Sequence, residues 1–227
     1  ALDKWEATRP YWLPPEWLPS LRTFAANVGV EFWMSFFDLK AIDAYATFCD
    51  GLKLASGELS EMSKPLLCAL AKQAERYDIP MAISTGTHTE IEVAQALHWL
   101  RDFKIEVILM NCVSQYPAKA TDYDLEWPLK YRQRVTIGLS DHTIGNALIY
   151  RAVSLGYTYF EKHFQLDGAQ ADGNPDYWHS SFPSMMDRYV EVIREAETRW
   201  LGVEKPLAKG EESERVWMHR GSDGKRP

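Results

Sequence analysis

"YFEKHFQL" (159–166) begins as the end of a buried β-strand and then sets Glu161, Lys162 and His163 side by side. Burying such groups without partners is costly, so they must pair, hold a ligand or metal, or end a strand that faces solvent. The two-residue period of a strand puts Glu161 and His163 on one face and Lys162 on the other, where an ion pair is expected.

Outward from this stretch, short apolar runs alternate with helical patterns. Strands are predicted at 30–36, 51–56, 80–85, 106–112, 135–140 and 157–164, and helices at about 38–48, 62–76, 89–102, 122–132, 144–155 and 183–200. Thr89 with Glu92 forms a capping-box signature. Strand starts recur roughly every 20–30 residues, the spacing of βα units, which implies a parallel sheet covered by helices. Polar residues gather at the strand ends: Lys53, Ser56 and Glu58; Ser84 and Thr85; Ser114 and Tyr116; Ser140 and His142; Glu161 and His163. A barrel opens all its strand ends on one mouth, where catalytic groups collect. No GxGxxG or P-loop signature supports a nucleotide-binding open sheet. The expected fold is therefore α/β, a (β/α)8 barrel of the TIM type. Six βα units are legible where a closed barrel has eight, so the barrel is expected to be incomplete, with its first two strands missing and the chain inactive alone. Residues 1–203 form the expected partial barrel, with 1–29 as a Pro- and Trp-rich lead into one helix. Residues 204–227 read as a charged linker or tail.

The chain has 227 residues, 46% of them hydrophobic, 25% charged and 13% aromatic, enough apolar material for a substantial core. A net charge of −7 argues against a nucleic-acid surface or anionic lipid as partner. Three cysteines without a CxxC pair point to neither a disulfide framework nor a zinc knuckle, and fit a reducing cytoplasm. No membrane span or signal-peptide pattern is visible.

His142 and His163 end consecutive strands, close enough to share one divalent ion and leave open positions for water and substrate; alternatively each hydrogen-bonds within the rim. Lys53 is the natural anion contact, unless it pairs with Glu58 or Glu161. Ser56, Ser84, Thr85, Ser114, Tyr116 and Ser140 add donors that suit a phosphate. The other histidines are weaker candidates: His88 and His179 lie in loops that could reach the mouth, His98 lies inside a predicted helix and His219 in the tail.

"KLASGEL", "ISTGT", "NCVSQYPA", "GLSDHTIG" and "FEKHFQLD" stand in the order and approximate spacing of the sialic acid synthase family, which the chain resembles over about residues 30–200. The family includes N-acetylneuraminate, legionaminate and pseudaminate synthases. The resemblance implies a barrel transferase that condenses phosphoenolpyruvate with an N-acylated hexosamine aldehyde, such as N-acetylmannosamine, to give a nonulosonic acid and phosphate. It implies that His142 and His163 bind a divalent metal, Mn²⁺ first, with Co²⁺ or Mg²⁺ as alternatives. Lys53, Ser56, Tyr116 and Ser140 would hold phosphoenolpyruvate, and Glu58, Glu161 and Asp176 would contact the sugar hydroxyls. It further implies a homodimer in which a C-terminal antifreeze-like domain covers the partner's site. The chain departs from the family pattern at Ser114, at Tyr177 and at "THTE" after "STG". On the residues alone, a Schiff-base aldolase acting through Lys53 or Lys162 and a non-catalytic barrel both stay open.

Overall fold

Alternation along each strand decides which side chains face the helices and which face inward, and the strands all run the same way. The computed structural model describes residues 13–168, 176–200 and 210–211. Six strands, β1 (Trp33–Ser35), β2 (Gly51–Leu54), β3 (Met81–Ser84), β4 (Val107–Cys112), β5 (Thr136–Asp141) and β6 (Tyr159–Lys162), form one sheet in chain order. Every neighbouring pair is parallel. All six predicted strands exist, each trimmed at one or both ends.

The outward face presents Leu52, Leu54, Met81, Ile83, Leu109, Ile137 and Leu139, all buried. Against it pack α2 (Leu39–Tyr45), α3 (Lys64–Tyr77) and α4 (Glu90–Leu100) in one continuous core. The stripe on α3 shows why: Leu66, Leu67, Leu70, Ala71 and Ala74 recur at helical spacing and are all buried. Thr89 caps α4 as its sequence signature requires, accepting from the Glu92 amide while the Glu92 carboxylate accepts from the Thr89 amide. A second cluster joins α5 (Ile149–Ser154) to α6 (Pro183–Trp200) through Ile149, Val153, Tyr189, Val192 and Ala196. Ahead of β1, α1 (Leu18–Val28) ends at Gly29, whose φ of 75° is a left-handed helix stop.

The inward face carries a small apolar floor of Ala82, Ile108 and Met110, with Trp33 and Tyr159 packed on it. Trp33 lies on β1 and Tyr159 on β6, yet their ring centroids are 6.3 Å apart, so the sheet curls until its first and last strands face each other across the interior. The result is an α/β half-barrel whose pairing runs from β1 to β6 without closing among the described residues.

One predicted helix is absent. Residues 122–132 form 3-10 turns at Ala120–Asp122 and Trp127–Tyr131 with a loop between. Tertiary bonds hold that loop: Tyr123 Oη donates to the Ser140 carbonyl, and the Asp124 carbonyl accepts from the Asn111 side-chain Nδ2. The expected linker, 204–227, lies outside the described residues apart from Gly210 and Glu211. No helix among the described residues is long and apolar enough to cross a membrane, and all three cysteines are free thiols.

Gly138 is one of two glycines at which the floor leaves no room for a side chain. A Cβ there would stand 2.4 Å from Met110 Sδ and 2.9 Å from Tyr159 Cβ, and the second atom is fixed by its own strand. Gly138→Ala is expected to cost about 1–3 kcal/mol, the usual range for overpacking, read as a lower urea midpoint at unchanged slope. An unchanged midpoint would mean that the floor is loosely packed.

Candidate active site

The strand ends surround a cleft of about 340 Å³. Lys53, Ser56, Ser84, Tyr116, Ser140, His142, Glu161 and His163 all line it, so eight of the residues singled out in the sequence converge. Ser35 from β1 and Cys112 from β4 join them. Cys112 was missed, although its alternation with Met110 already put it on the inward face.

Three consecutive cross-strand relations between β5 and β6 organise the cleft. Ser140 is opposite Glu161 and Asp141 opposite Lys162 in the sheet register. On the inner face Ser140 Oγ donates to Glu161 Oε1 at 2.8 Å, and Lys53 Nζ lies 3.5 Å from Glu161 Oε2. On the outer face Lys162 Nζ bonds Asp141 Oδ2 at 3.1 Å, with side chains 3% and 0% exposed. Lys162 also donates to the Thr143 carbonyl, and Asp141 Oδ1 accepts from the Thr143 amide and hydroxyl at 2.9 and 2.7 Å. Burial pulls the Lys162 ammonium below its usual range, and the adjacent Asp141 opposes that shift. The pair is therefore a buried charge bond in the wall behind the site. One residue further along, His142 and His163 both return to the inner face, with ring centroids 5.2 Å apart.

His142 is held from three sides. Its amide donates to Tyr123 Oη at 3.0 Å, its carbonyl accepts from the Ala118 amide at 3.0 Å, and its ring Nδ1 lies 2.7 Å from the Val113 carbonyl. A carbonyl only accepts, so Nδ1 carries the proton and Nε2 keeps its lone pair. Burial holds this imidazole below the usual 6.5, helped by the neighbouring His163 and opposed by the Val113 bond. Nε2 lies 3.2 Å from Ser140 Oγ, whose one proton also serves Glu161. Two acceptors thus share a single hydroxyl proton, an arrangement that a cation at Nε2 would relieve. This donor set, a neutral buried imidazole with a fixed tautomer beside a second imidazole, fits a divalent first-row ion.

On the far side of the cleft, Ser84 is 1% exposed and its hydroxyl has no hydrogen-bond partner among the described residues. Near it, Gly86 leaves space that a Cβ would fill: the added atom would stand 2.1 Å from Ser114 Oγ and 3.0 Å from both Cys112 Sγ and Ser56 Cβ. Ser56 and Ser114 can therefore close on Tyr116, whose phenol burial pushes up, with the Cys112 thiol adding to the shift. Tyr116 packs over His142 at 4.4 Å between ring centroids.

Asp176 stands across from His163, with Oδ2 3.3 Å from His163 Nδ1, and that contact holds its carboxyl below the usual range.

Residues 2–205 match the NeuB family. The chain belongs to the NeuB family. Over 186 residues it is 32% identical to the N,N'-diacetyllegionaminic acid synthase of Legionella pneumophila, an alignment covering 78% of this chain and 50% of that protein. Over 208 residues it is 31% identical to the pseudaminic acid synthase of Helicobacter pylori, covering 89% and 56% respectively. The chain thus spans about half the length of the curated relatives it matches. The crystal structure of an N-acetylneuraminic acid synthetase from Leptospira borgpetersenii has the same fold, with a TM-score of 0.78 over 95% of this chain and 75% of the other at 22% identity.

Within this NeuB-family site, four predicted residues are not part of the cleft lining: Ser114 and Asp176, which stand beside Gly86 and His163 respectively, and Glu58 and Thr85. Glu58 follows a tight turn in which its amide bonds the Ala55 carbonyl and Gly57 takes a φ of 94°, a conformation suited to glycine. The turn carries Glu58 onto the rim, where Ser63 donates to its carboxylate at 2.8 Å in a neighbouring groove. Thr85 is buried and stitches β3 to β4, donating to the Met110 carbonyl and accepting from the Cys112 amide, each at 3.2 Å. His88 bonds the Gly86 carbonyl at 2.9 Å.

The Lys162–Asp141 pair is open to a direct test. Lys162→Met leaves the Asp141 charge buried without its partner and is expected to cost about 3–5 kcal/mol. Adding Asp141→Asn to that variant should recover part of the loss, measured by urea denaturation. A double variant weaker than Lys162→Met by the full cost of Asp141→Asn would show that the two charges do not couple.

Proposed function

We propose that this chain carries the catalytic mouth of a synthase that joins phosphoenolpyruvate to an N-acylated hexosamine aldehyde, releasing a nonulosonic acid and inorganic phosphate. The observation that carries the reading is the single cleft in which Lys53, Glu161, Ser140, His142 and His163 meet, in a chain of the NeuB family. Its relatives named as legionaminic and pseudaminic acid synthases support the product class.

In this reading Lys53 and the hydroxyls of Ser56, Ser84 and Tyr116 hold the anionic groups of phosphoenolpyruvate, with Ser114 supporting Tyr116. Ser84 suits the role because its buried donor is otherwise unmatched. Holding the enol phosphate in one orientation brings its C3 to the aldehyde carbon, and that carbon–carbon bond forms first, from the C2=C3 π pair, as the aldehyde C=O π pair moves onto its oxygen. Positive charge then develops at C2, which faces the Glu161 carboxylate beside Ser140. Water adds at C2 and gives one proton to the former aldehyde oxygen; the bond from C2 to the bridging oxygen then breaks as the C2 hydroxyl becomes the ketone and its proton leaves with the phosphate. Asp176 accepts from the sugar hydroxyls, whereas Glu58 and Thr85 touch neither substrate. A divalent ion held by His142 Nε2 and His163, Mn²⁺ first and Co²⁺ or Mg²⁺ otherwise, supplies Lewis-acid polarisation of the aldehyde oxygen when bound.

A lysine aldolase fits less well. Lys162 points away from the cleft into its bond with Asp141, and Lys53 is paired with Glu161.

The test is to incubate the complete gene product with phosphoenolpyruvate, Mn²⁺ and a panel of N-acylated hexosamines, with products identified by mass spectrometry. One hexosamine is expected to yield a nonulosonic acid with equimolar phosphate; no nonulosonic acid from any hexosamine of the panel would overturn the reading. Borohydride with pyruvate should leave the protein mass unchanged; a trapped adduct together with no phosphate release would favour the aldolase.

A further inference from the structure

His179 is buried without an obvious reason. It is 5% exposed, and its Nε2 has no hydrogen-bond partner among the described residues. Leaving a buried imidazole nitrogen unmatched costs stability, and such atoms in folded proteins usually await an ion, a water or a ligand. The backbone around it is tightly determined. The Ser181 amide donates to the His163 carbonyl at 2.7 Å, and the Gln165 amide donates to the Ser181 carbonyl at 3.0 Å. The Asp176 carbonyl accepts from the His179 and Ser180 amides at 3.3 and 3.0 Å. This turn after β6 therefore sets His179 and Asp176 against His163 by main-chain bonds, independently of any ligand.

His163, Asp176 and His179 each offer a ligand atom, and the three atoms lie within 4.8 Å of one another. Asp176 Oδ2 is 3.3 Å from His163 Nδ1, and Asp176 Oδ1 is 3.5 Å from His179 Nε2. Adjacent ligands on an octahedral ion with ~2.1 Å bonds stand ~3 Å apart, so small side-chain movements would bring all three onto one ion. The rings also suit a shared centre. The centroids of His142, His163 and His179 are 5.2, 4.5 and 6.4 Å apart, and Tyr116 covers them from one side. With ~2.1 Å bonds, two imidazole centroids on one ion stand no more than ~6.4 Å apart.

We propose that His179 is a third imidazole ligand, with one oxygen of Asp176 beside it and the other left for the sugar hydroxyls, to the same divalent ion that His142 and His163 hold. This inference rests on the metal assignment made above for those two histidines. Three imidazoles and a carboxylate make a nitrogen-rich set that still leaves room for substrate oxygen. The turn after β6 then acts as a clasp: it anchors on His163 through its main chain and closes on the ion through two side chains.

The complete gene product, stripped of metal, is titrated with Mn²⁺ by calorimetry, and the imidazole nitrogens coupled to the bound ion are counted by pulsed electron paramagnetic resonance. The wild-type protein is expected to bind one ion per chain with three coupled imidazoles. His179→Gln should reduce the count to two and weaken binding at least about tenfold, with circular dichroism confirming the fold. One ion coupled to two imidazoles, with affinity unchanged in His179→Gln but lost in His142→Ala and His163→Ala, overturns the third ligand and leaves the two-histidine assignment standing. A second ion per chain also overturns it. Absence of any Mn²⁺ binding by the wild type overturns both assignments together. If His179→Gln does not fold, the wild-type count alone decides.

Discussion

The site depends on one buried bond, that between Lys162 and Asp141. It lies behind the cleft, on the face of β5 and β6 that is turned toward α6, where neither group meets solvent. Its effect comes from the two-residue period of a strand. Fixing Asp141 against Lys162 fixes Ser140 against Glu161 one position earlier on the opposite face, and His142 beside His163 one position later. A slip of one residue would turn every one of these side chains to the wrong side, and two charges would be buried without partners. A bond that looks purely structural therefore sets the register of the chemical groups. Tyr123 reinforces it from the connection between β4 and β5 by bridging the Ser140 carbonyl and the His142 amide.

The floor of the half-barrel and its mouth divide the inward face between them. Trp33, Met110 and Tyr159 fill the lower layer, and Gly51 and Gly138 make room for them; a Cβ on Gly51 would stand 2.3 Å from the Trp33 ring. Above that layer the inward residues become Lys53, Ser84, Cys112, Ser140 and Glu161. Water and ligand are thus confined to the C-terminal ends of the strands, and the charged groups there act in a partly desolvated space where electrostatic effects are strong. The same confinement explains why the His142 imidazole stays neutral and able to bind a cation.

The strands and the convergence of their ends were legible because parallel strands buried on both faces leave strong apolar runs, and polar residues that interrupt such runs stand out. The outward turn of Lys162 followed from alternation alone. Its partner Asp141 did not, since an aspartate between Ser140 and His142 reads as one more loop residue until the register is known. Residues 122–132 misled because their helical pattern competes with side chains reaching back to the sheet, and local pattern cannot weigh Tyr123 and Asp124 against a helix. Glu58 was read as part of the mouth because it follows β2 closely, yet the turn at Gly57 sends it to Ser63. His179 was visible only as a loop histidine; its placement comes from main-chain bonds between residues 163 and 181 that no spacing rule anticipates.

Register between β5 and β6 thus links a structural ion pair to a proposed metal and phosphate site in one mouth. The most direct measurement is anomalous diffraction at the manganese edge from crystals of the complete gene product soaked with Mn²⁺ and phosphoenolpyruvate. One anomalous peak is expected within bonding distance of His142 Nε2 and His163, with the phosphate against Lys53 and Ser84. A peak away from both histidines, or phosphoenolpyruvate bound outside the cleft, would contradict the account.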